Sequence, residues 1–114
     1  MSWPYLAAAA LYMGLIFHLS SLPGGQVGIP APWDKLAHLA EYAVLGFLLG
    51  RGSGRVSLAF LVAALYGATD ELHQAFVPGR EASALDWLAD AAGAFLGARG
   101  GARRSRPETP SGPP

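Results

Sequence analysis

Four apolar runs alternate with short segments rich in glycine and proline. Because glycine and proline punctuate regular structure, each run predicts one helix. Asp34 is placed to cap the second helix, which we expect to break at the glycines of 52–54. The predicted helices cover residues 3–20, 34–51, 56–76 and 82–98.

The third run, VSLAFLVAALYGAT, has apolar residues on all sides of the helix rather than in one stripe. That pattern is typical of a helix in lipid and disfavours a soluble helical bundle. Hydrophobic residues make up 52% of the chain and charged residues only 14%. The second and fourth runs extend for only about seventeen residues before glycines and charges intervene, which suffices for a thin bilayer. We therefore predict an all-α fold, a four-helix transmembrane bundle in up-down antiparallel order.

The chain has the length of one domain, which we place at residues 1–98. Residues 99–114 are rich in arginine, glycine and proline and are predicted to form a disordered cytoplasmic tail. No basic residue precedes the first run and no clear cleavage pattern follows it. A retained membrane helix is therefore favoured over a signal peptide.

The numbers of charged residues exclude some classes of protein, and their positions predict the topology in the membrane. Eight basic residues balance eight acidic ones, which disfavours a nucleic-acid partner, and the absence of cysteine excludes disulfides and thiolate chemistry. Basic residues mark the cytoplasmic side of membrane proteins. For a multi-pass membrane protein, this rule predicts that both termini are cytoplasmic. The arginines behind this prediction are Arg51, Arg55, Arg99, Arg103, Arg104 and Arg106.

Ionisable residues of three helices fall at one depth, about 6 to 12 Å below the outer surface. Isolated charges at that depth are costly against lipid, so they are expected to face one another in a shared outer-leaflet pocket. Helical spacing supports this arrangement, and Arg80 is expected to fold over the pocket. The groups that share a face are Lys35, His38 and Tyr42; Tyr66, Asp70 and Gln74; and Asp86, Asp90, Gly93 and Gly97. Glu41 lies at the same depth.

Two motifs resemble the VanZ-like family: Asp34-Lys35-x-x-His38-x-x-x-Tyr42 and Asp70-Glu71-x-x-Gln74-x-Phe76-x-Pro78-x-Arg80, followed by Asp86 before a glycine-rich helix. The resemblance covers about residues 5 to 98. It implies a small multi-pass helical protein of the bacterial inner (cytoplasmic) membrane, part of the cell envelope, from a family named for an accessory protein linked to teicoplanin resistance. Members commonly have Asn where this chain has Asp90.

The predicted pocket permits several functions. As a binding site it would hold a cell-envelope lipid, a wall precursor or a glycopeptide-like ligand, with the Arg80 guanidinium on a phosphate or carboxylate. The ligand-binding candidates are Lys35, Glu41, Tyr42, Gln74, Arg80, Asp86 and Asp90. As an enzyme it would use His38 or Glu71 as general base and Asp70 as the group that orients it.

Two further alternatives stay open. His38, Glu41, Asp70 and Glu71 offer donors for a divalent metal, but their spacing matches no defined metal motif, so we assign neither a metal site nor a cofactor. Alternatively, the polar network only holds the helices together in a structural or accessory subunit whose partner is the lipid bilayer.

Overall fold

The structure, a computed structural model, describes residues 1–22, 33–79 and 83–105, and these consist of four helices without strands. The helices are α1 (Trp3–Ser20), α2 (Trp33–Ser53), α3 (Val56–Gln74) and α4 (Ala84–Ser105). The predicted all-α class and the bounds of α1 are confirmed. Pro4 lies in the first turn of α1, where its missing N–H costs nothing.

The predicted end of the fourth helix at Ala98 is wrong, because α4 continues to Ser105. Residues 99–105, assigned to the disordered tail, are helical, while residues 106–114 lie outside the described part of the chain. Ala102 is 4% exposed, and Gly101 packs against the Phe47 carbonyl of α2. Packing against α2 therefore outweighs the low helix propensity of the glycines.

Contacts between helices establish the up-down order. The Ser2 N–H at the start of α1 donates to the Gly52 carbonyl at the end of α2 (2.6 Å). Between α3 and α4, the Trp87 indole N–H donates to the Ala64 carbonyl (3.0 Å), and one α3 turn earlier Phe60 meets Phe95 edge to face. Consecutive helices thus run antiparallel, and α2 runs parallel to α4.

Within the described part of the chain, the backbones of α2 and α4 approach each other closely along a row of glycines. Leu39, Ala43 and Phe47 of α2 place their carbonyl oxygens against Gly93, Gly97 and Gly101 of α4, respectively. A Cβ at any of these glycines would collide with the facing backbone. In return, Gly46 and Gly50 of α2 receive the backbone of α4. The repeated four-residue spacing of small residues thus joins the two backbones directly.

The distribution of side chains between interior and surface is unusual for a soluble protein. Large apolar residues are exposed on every helix, for example Leu11 (78%), Leu65 (59%) and Leu96 (60%). The interior holds mostly alanines, the large side chains of Tyr42, Ile16 and Leu45, and several charged groups, among them the fully buried Asp90. By length and composition, α1 is the one described helix suited to crossing a membrane.

Candidate functional site

A cluster of ionisable side chains, which we call the His38 cluster, joins three helices at the end where α2 and α4 begin. It consists of His38 from α2, Glu71 from α3, and Asp86 and Asp90 from α4. His38 Nδ1 lies 2.7 Å from Asp90 Oδ1 and 3.9 Å from Glu71 Oε1. On the other side of the ring, Nε2 lies 3.9 Å from Asp86 Oδ2. The imidazole therefore faces a different carboxylate on each side.

Lys35, one turn before His38 on α2, extends the cluster toward the surface. Its ammonium forms ion pairs with Asp86 Oδ1 (2.7 Å) and with Asp34 Oδ2 (2.9 Å). The Lys35 side chain is 34% exposed, whereas that of Asp86 is 10% exposed. Lys35 thus places a positive charge at the surface end of the otherwise buried, acidic His38 cluster.

A second polar pair lies next to the cluster, deeper in the bundle. The hydroxyl of fully buried Tyr42 donates to Asp70 Oδ2 at 3.5 Å, and Asp70 is itself 4% exposed. Gly67 leaves space for the side chains of Asp90, in the cluster, and Tyr42, in the second pair. A Cβ at Gly67 would lie 3.2 Å from Asp90 Oδ2 and 3.3 Å from a Tyr42 ring carbon.

Ser83 caps the start of α4 and also hydrogen-bonds one oxygen of Glu71. Its hydroxyl accepts hydrogen bonds from the Leu85 and Asp86 N–H groups (3.2 and 3.4 Å), which is the role of an N-cap. Its own N–H donates to Glu71 Oε2 at 3.0 Å. Ser83 was not among the predicted site residues, although Ser83-x-x-Asp86 has the spacing of a capping box.

The cluster has more buried acceptors than the described residues satisfy. Glu71 Oε1 and Asp90 Oδ2 are buried and have no hydrogen-bond partner among the described residues. Burying a carboxylate is costly unless its oxygens are paired with donors or a cation. The arrangement is therefore suited to receiving a cation or hydrogen-bond donors, and the His38–Asp90 pair is suited to moving a proton.

The structure brings five of the predicted site residues into one connected group: Lys35, His38, Glu71, Asp86 and Asp90. The carboxylate that contacts His38 is Asp90, expected only to bind ligand, while Asp70, the expected orienting group, accepts a bond from Tyr42. The roles assigned to these residues stay predictions.

The other predicted residues lie around this group. Gln74 is buried at the end of α3. Glu41 is half-buried and interacts electrostatically with Tyr12 and Tyr66, toward α1. Arg80 lies outside the described residues, so its expected closure over the pocket stays a prediction.

Comparison with known proteins identifies one family. Residues 5–100 match the family model described as VanZ/LLP1. No curated protein and no solved structure matches the chain. The match includes the whole His38 cluster and most of the four helices. The chain therefore belongs to the VanZ/LLP1 family, the VanZ-like family that its two motifs resemble.

Proposed function

We propose that this protein is a multi-pass membrane protein in which all four described helices cross the bilayer, although α1 is the one described helix apolar enough to do so by length and composition alone. The observation that best supports this is the inverted distribution of side chains, with leucines outward and carboxylates inward. In water such a surface would be a large aggregation-prone patch, whereas in lipid it is the favourable arrangement. The helices have 18 to 22 residues, or about 27 to 33 Å, close to the hydrocarbon thickness of about 30 Å.

The arginines support an orientation. Arg51, Arg55, Arg99 and Arg103 lie at one end of the bundle, where α2 and α4 end, and the His38 cluster lies toward the other. One of them, Arg51, stacks on the Tyr5 ring at 4.7 Å. By the positive-inside rule, the arginine end is cytoplasmic and the His38 cluster opens to the outer leaflet.

Single-cysteine labelling tests this topology, because the chain has no cysteine. We expect a membrane-impermeant maleimide to label Ala75→Cys, after the end of α3, in spheroplasts. Ser53→Cys, at the arginine end, is expected to react only after permeabilisation. Labelling of Ser53→Cys alone in sealed cells would reverse the orientation, and full release of the protein from membranes by alkaline carbonate would contradict the spanning assignment.

We further propose that the His38 cluster binds the polar part of a cell-envelope lipid or lipid-linked wall precursor. The supporting observation is the pairing of a part-exposed ammonium, Lys35, with buried carboxylate oxygens that lack donors. A ligand with a phosphate near amine or hydroxyl groups complements both features. If the site also modifies its ligand, His38, polarised by Asp90, is the candidate general base.

Mass spectrometry of lipids that co-purify with the protein tests the binding proposal. We expect the parent protein to enrich one phosphate-containing lipid class over the bulk membrane. Lys35→Gln is expected to reduce that enrichment about tenfold, which corresponds to about 1.4 kcal/mol. The matched control is Arg55→Gln, the same loss of charge at the opposite end, and it is expected to retain the enrichment.

Two results would contradict the binding proposal. The first is a lipid profile of the parent that equals that of the bulk membrane. The second is an enrichment that Lys35→Gln leaves unchanged in a folded variant. Either result would favour the alternative, a network that only holds the helices together.

A further inference from the structure

We propose that His38, Glu71 and Asp90 bind a divalent transition-metal ion of the Zn²⁺ or Mn²⁺ type. This inference rests on the proposed function, because the ion would occupy the cluster that receives the ligand. Each residue offers one donor atom, and the three atoms lie within 4.8 Å of one another. They come from three different helices, so the site is formed only in the folded bundle.

The spacing of the donors is close to what a small ion requires. A tetrahedral ion with bonds of about 2.1 Å holds its ligand atoms about 3.4 Å apart. His38 Nδ1 lies 2.7 Å from Asp90 Oδ1 and 3.9 Å from Glu71 Oε1, on either side of that value. Small side-chain rotations would therefore complete the coordination without moving a helix.

The unpartnered oxygens give an independent argument for a ligand. Glu71 Oε1 is buried, has no hydrogen-bond partner among the described residues, and points toward His38 from beyond hydrogen-bond distance. Asp90 Oδ2 is also without a partner, in a side chain that is 0% exposed. A buried, unpaired acceptor destabilises the fold. A cation bound at Glu71 Oε1 and Asp90 Oδ1 would give the Glu71 oxygen a partner and would offset the buried negative charge of Asp90.

Residues around the donors are placed to orient them. With Nδ1 bound to the ion, the Nε2–H would face Asp86 Oδ2, now 3.9 Å away. Metal-bound histidines usually donate their other N–H to such a carboxylate. The Ser83 N–H holds Glu71 Oε2 at 3.0 Å, which leaves Oε1 for the ion. Asp86 and Ser83 are therefore positioning residues in this proposal.

The donor chemistry selects the type of ion. One imidazole nitrogen with two carboxylate oxygens suits Zn²⁺ or Mn²⁺ better than Ca²⁺ or Mg²⁺, which prefer oxygen alone. Three protein donors also leave a coordination position open, as in catalytic zinc sites. A phosphate oxygen held near Lys35 would be a suitable fourth ligand. The set differs from the sequence-based metal hypothesis, since Asp90 replaces Glu41 and Asp70.

Metal titration of the purified full chain in detergent micelles tests the proposal. After EDTA treatment and dialysis, we expect isothermal titration with ZnCl₂ or MnCl₂ to show one ion per chain, and MgCl₂ to bind at least tenfold more weakly. Glu71→Gln and Asp90→Asn preserve side-chain size, and each is expected to weaken binding about 10- to 100-fold. Asp34→Asn, an equivalent change at the same end but outside the donor set, is the matched control.

Electron paramagnetic resonance of the Mn²⁺-loaded parent protein provides a test that needs no variant. Coupling to an imidazole nitrogen is expected, and its absence would overturn the proposal. So would a parent that binds no Zn²⁺ or Mn²⁺, or binding that Glu71→Gln leaves unchanged. Lipid enrichment without metal binding would refute the ion and keep the proposed ligand site. Metal binding without lipid enrichment would refute the ligand site alone.

Discussion

Gly97→Ala is expected to destabilise the protein by about 3 kcal/mol or more, although alanine is the better helix former. A Cβ at Gly97 would fall on the Ala43 carbonyl of α2, well within 3.0 Å. Backbone atoms cannot rotate away as a flexible side chain can, so α2 and α4 must separate. Separation would also remove the contacts at Gly93 and Gly101.

Gly100→Ala is the matched control, because it makes the same change three residues later on the same helix. A Cβ there meets only a ring carbon of Phe47, at 3.9 Å, an ordinary contact. We expect this variant to be neutral or up to about 1 kcal/mol more stable. Unfolding of both variants in detergent, followed by circular dichroism, gives the comparison. Equal stability of the two variants would mean that the α2–α4 backbone contact does not support the fold.

Asp90→Leu is expected to have the second large effect, a loss of about 3 to 5 kcal/mol. Asp90 is fully buried and its Oδ1 lies 2.7 Å from His38 Nδ1. Leucine has the same branched shape but a larger volume, and it leaves the part-buried imidazole nitrogen without that partner. Removing one member of a buried pair costs more than the pair contributes, because the other stays desolvated.

Asp90→Asn separates hydrogen bonding from charge at the same position. An asparagine oxygen can still accept a hydrogen bond from the His38 ring, so we expect a loss below about 1 kcal/mol. Thermal unfolding of Asp90→Leu and Asp90→Asn in the same detergent is the measurement. Equal losses in the two variants would show that the negative charge, rather than the hydrogen bond, stabilises the bundle.

Local pattern was enough to predict the helices but not where the last one ends. Apolar runs between glycines and prolines predicted α1 and the approximate bounds of α2 and α3. At Gly100 and Gly101 the pattern is ambiguous, because glycine both weakens a helix and permits a close helix contact. Only the distant backbone of α2 resolves the ambiguity in favour of helix.

For the site, the sequence predicted which residues lie together but not which carboxylate contacts His38. Helical spacing placed His38, Asp86 and Asp90 on inward faces at one end of the bundle, and the structure brings them together. The spacing could not rank the carboxylates by distance from His38. That ranking depends on how closely α2 approaches α4, which the glycines of both helices set together.

The glycine contacts join two of the three helices that form the His38 cluster, α2 and α4, and leave α3 as the third. His38, Asp86 and Asp90, together with the neighbouring Lys35, belong to α2 and α4, whose backbones are in direct contact at five glycines. Glu71 comes from α3, which the Trp87 and Phe95 side chains of α4 contact. A tilt of α3 would therefore lengthen or shorten the Glu71–His38 separation of 3.9 Å while the 2.7 Å His38–Asp90 contact stays fixed. Four ionisable groups thus lie on the joined helices α2 and α4, and the position of α3 sets the distance of the fifth, Glu71, from His38.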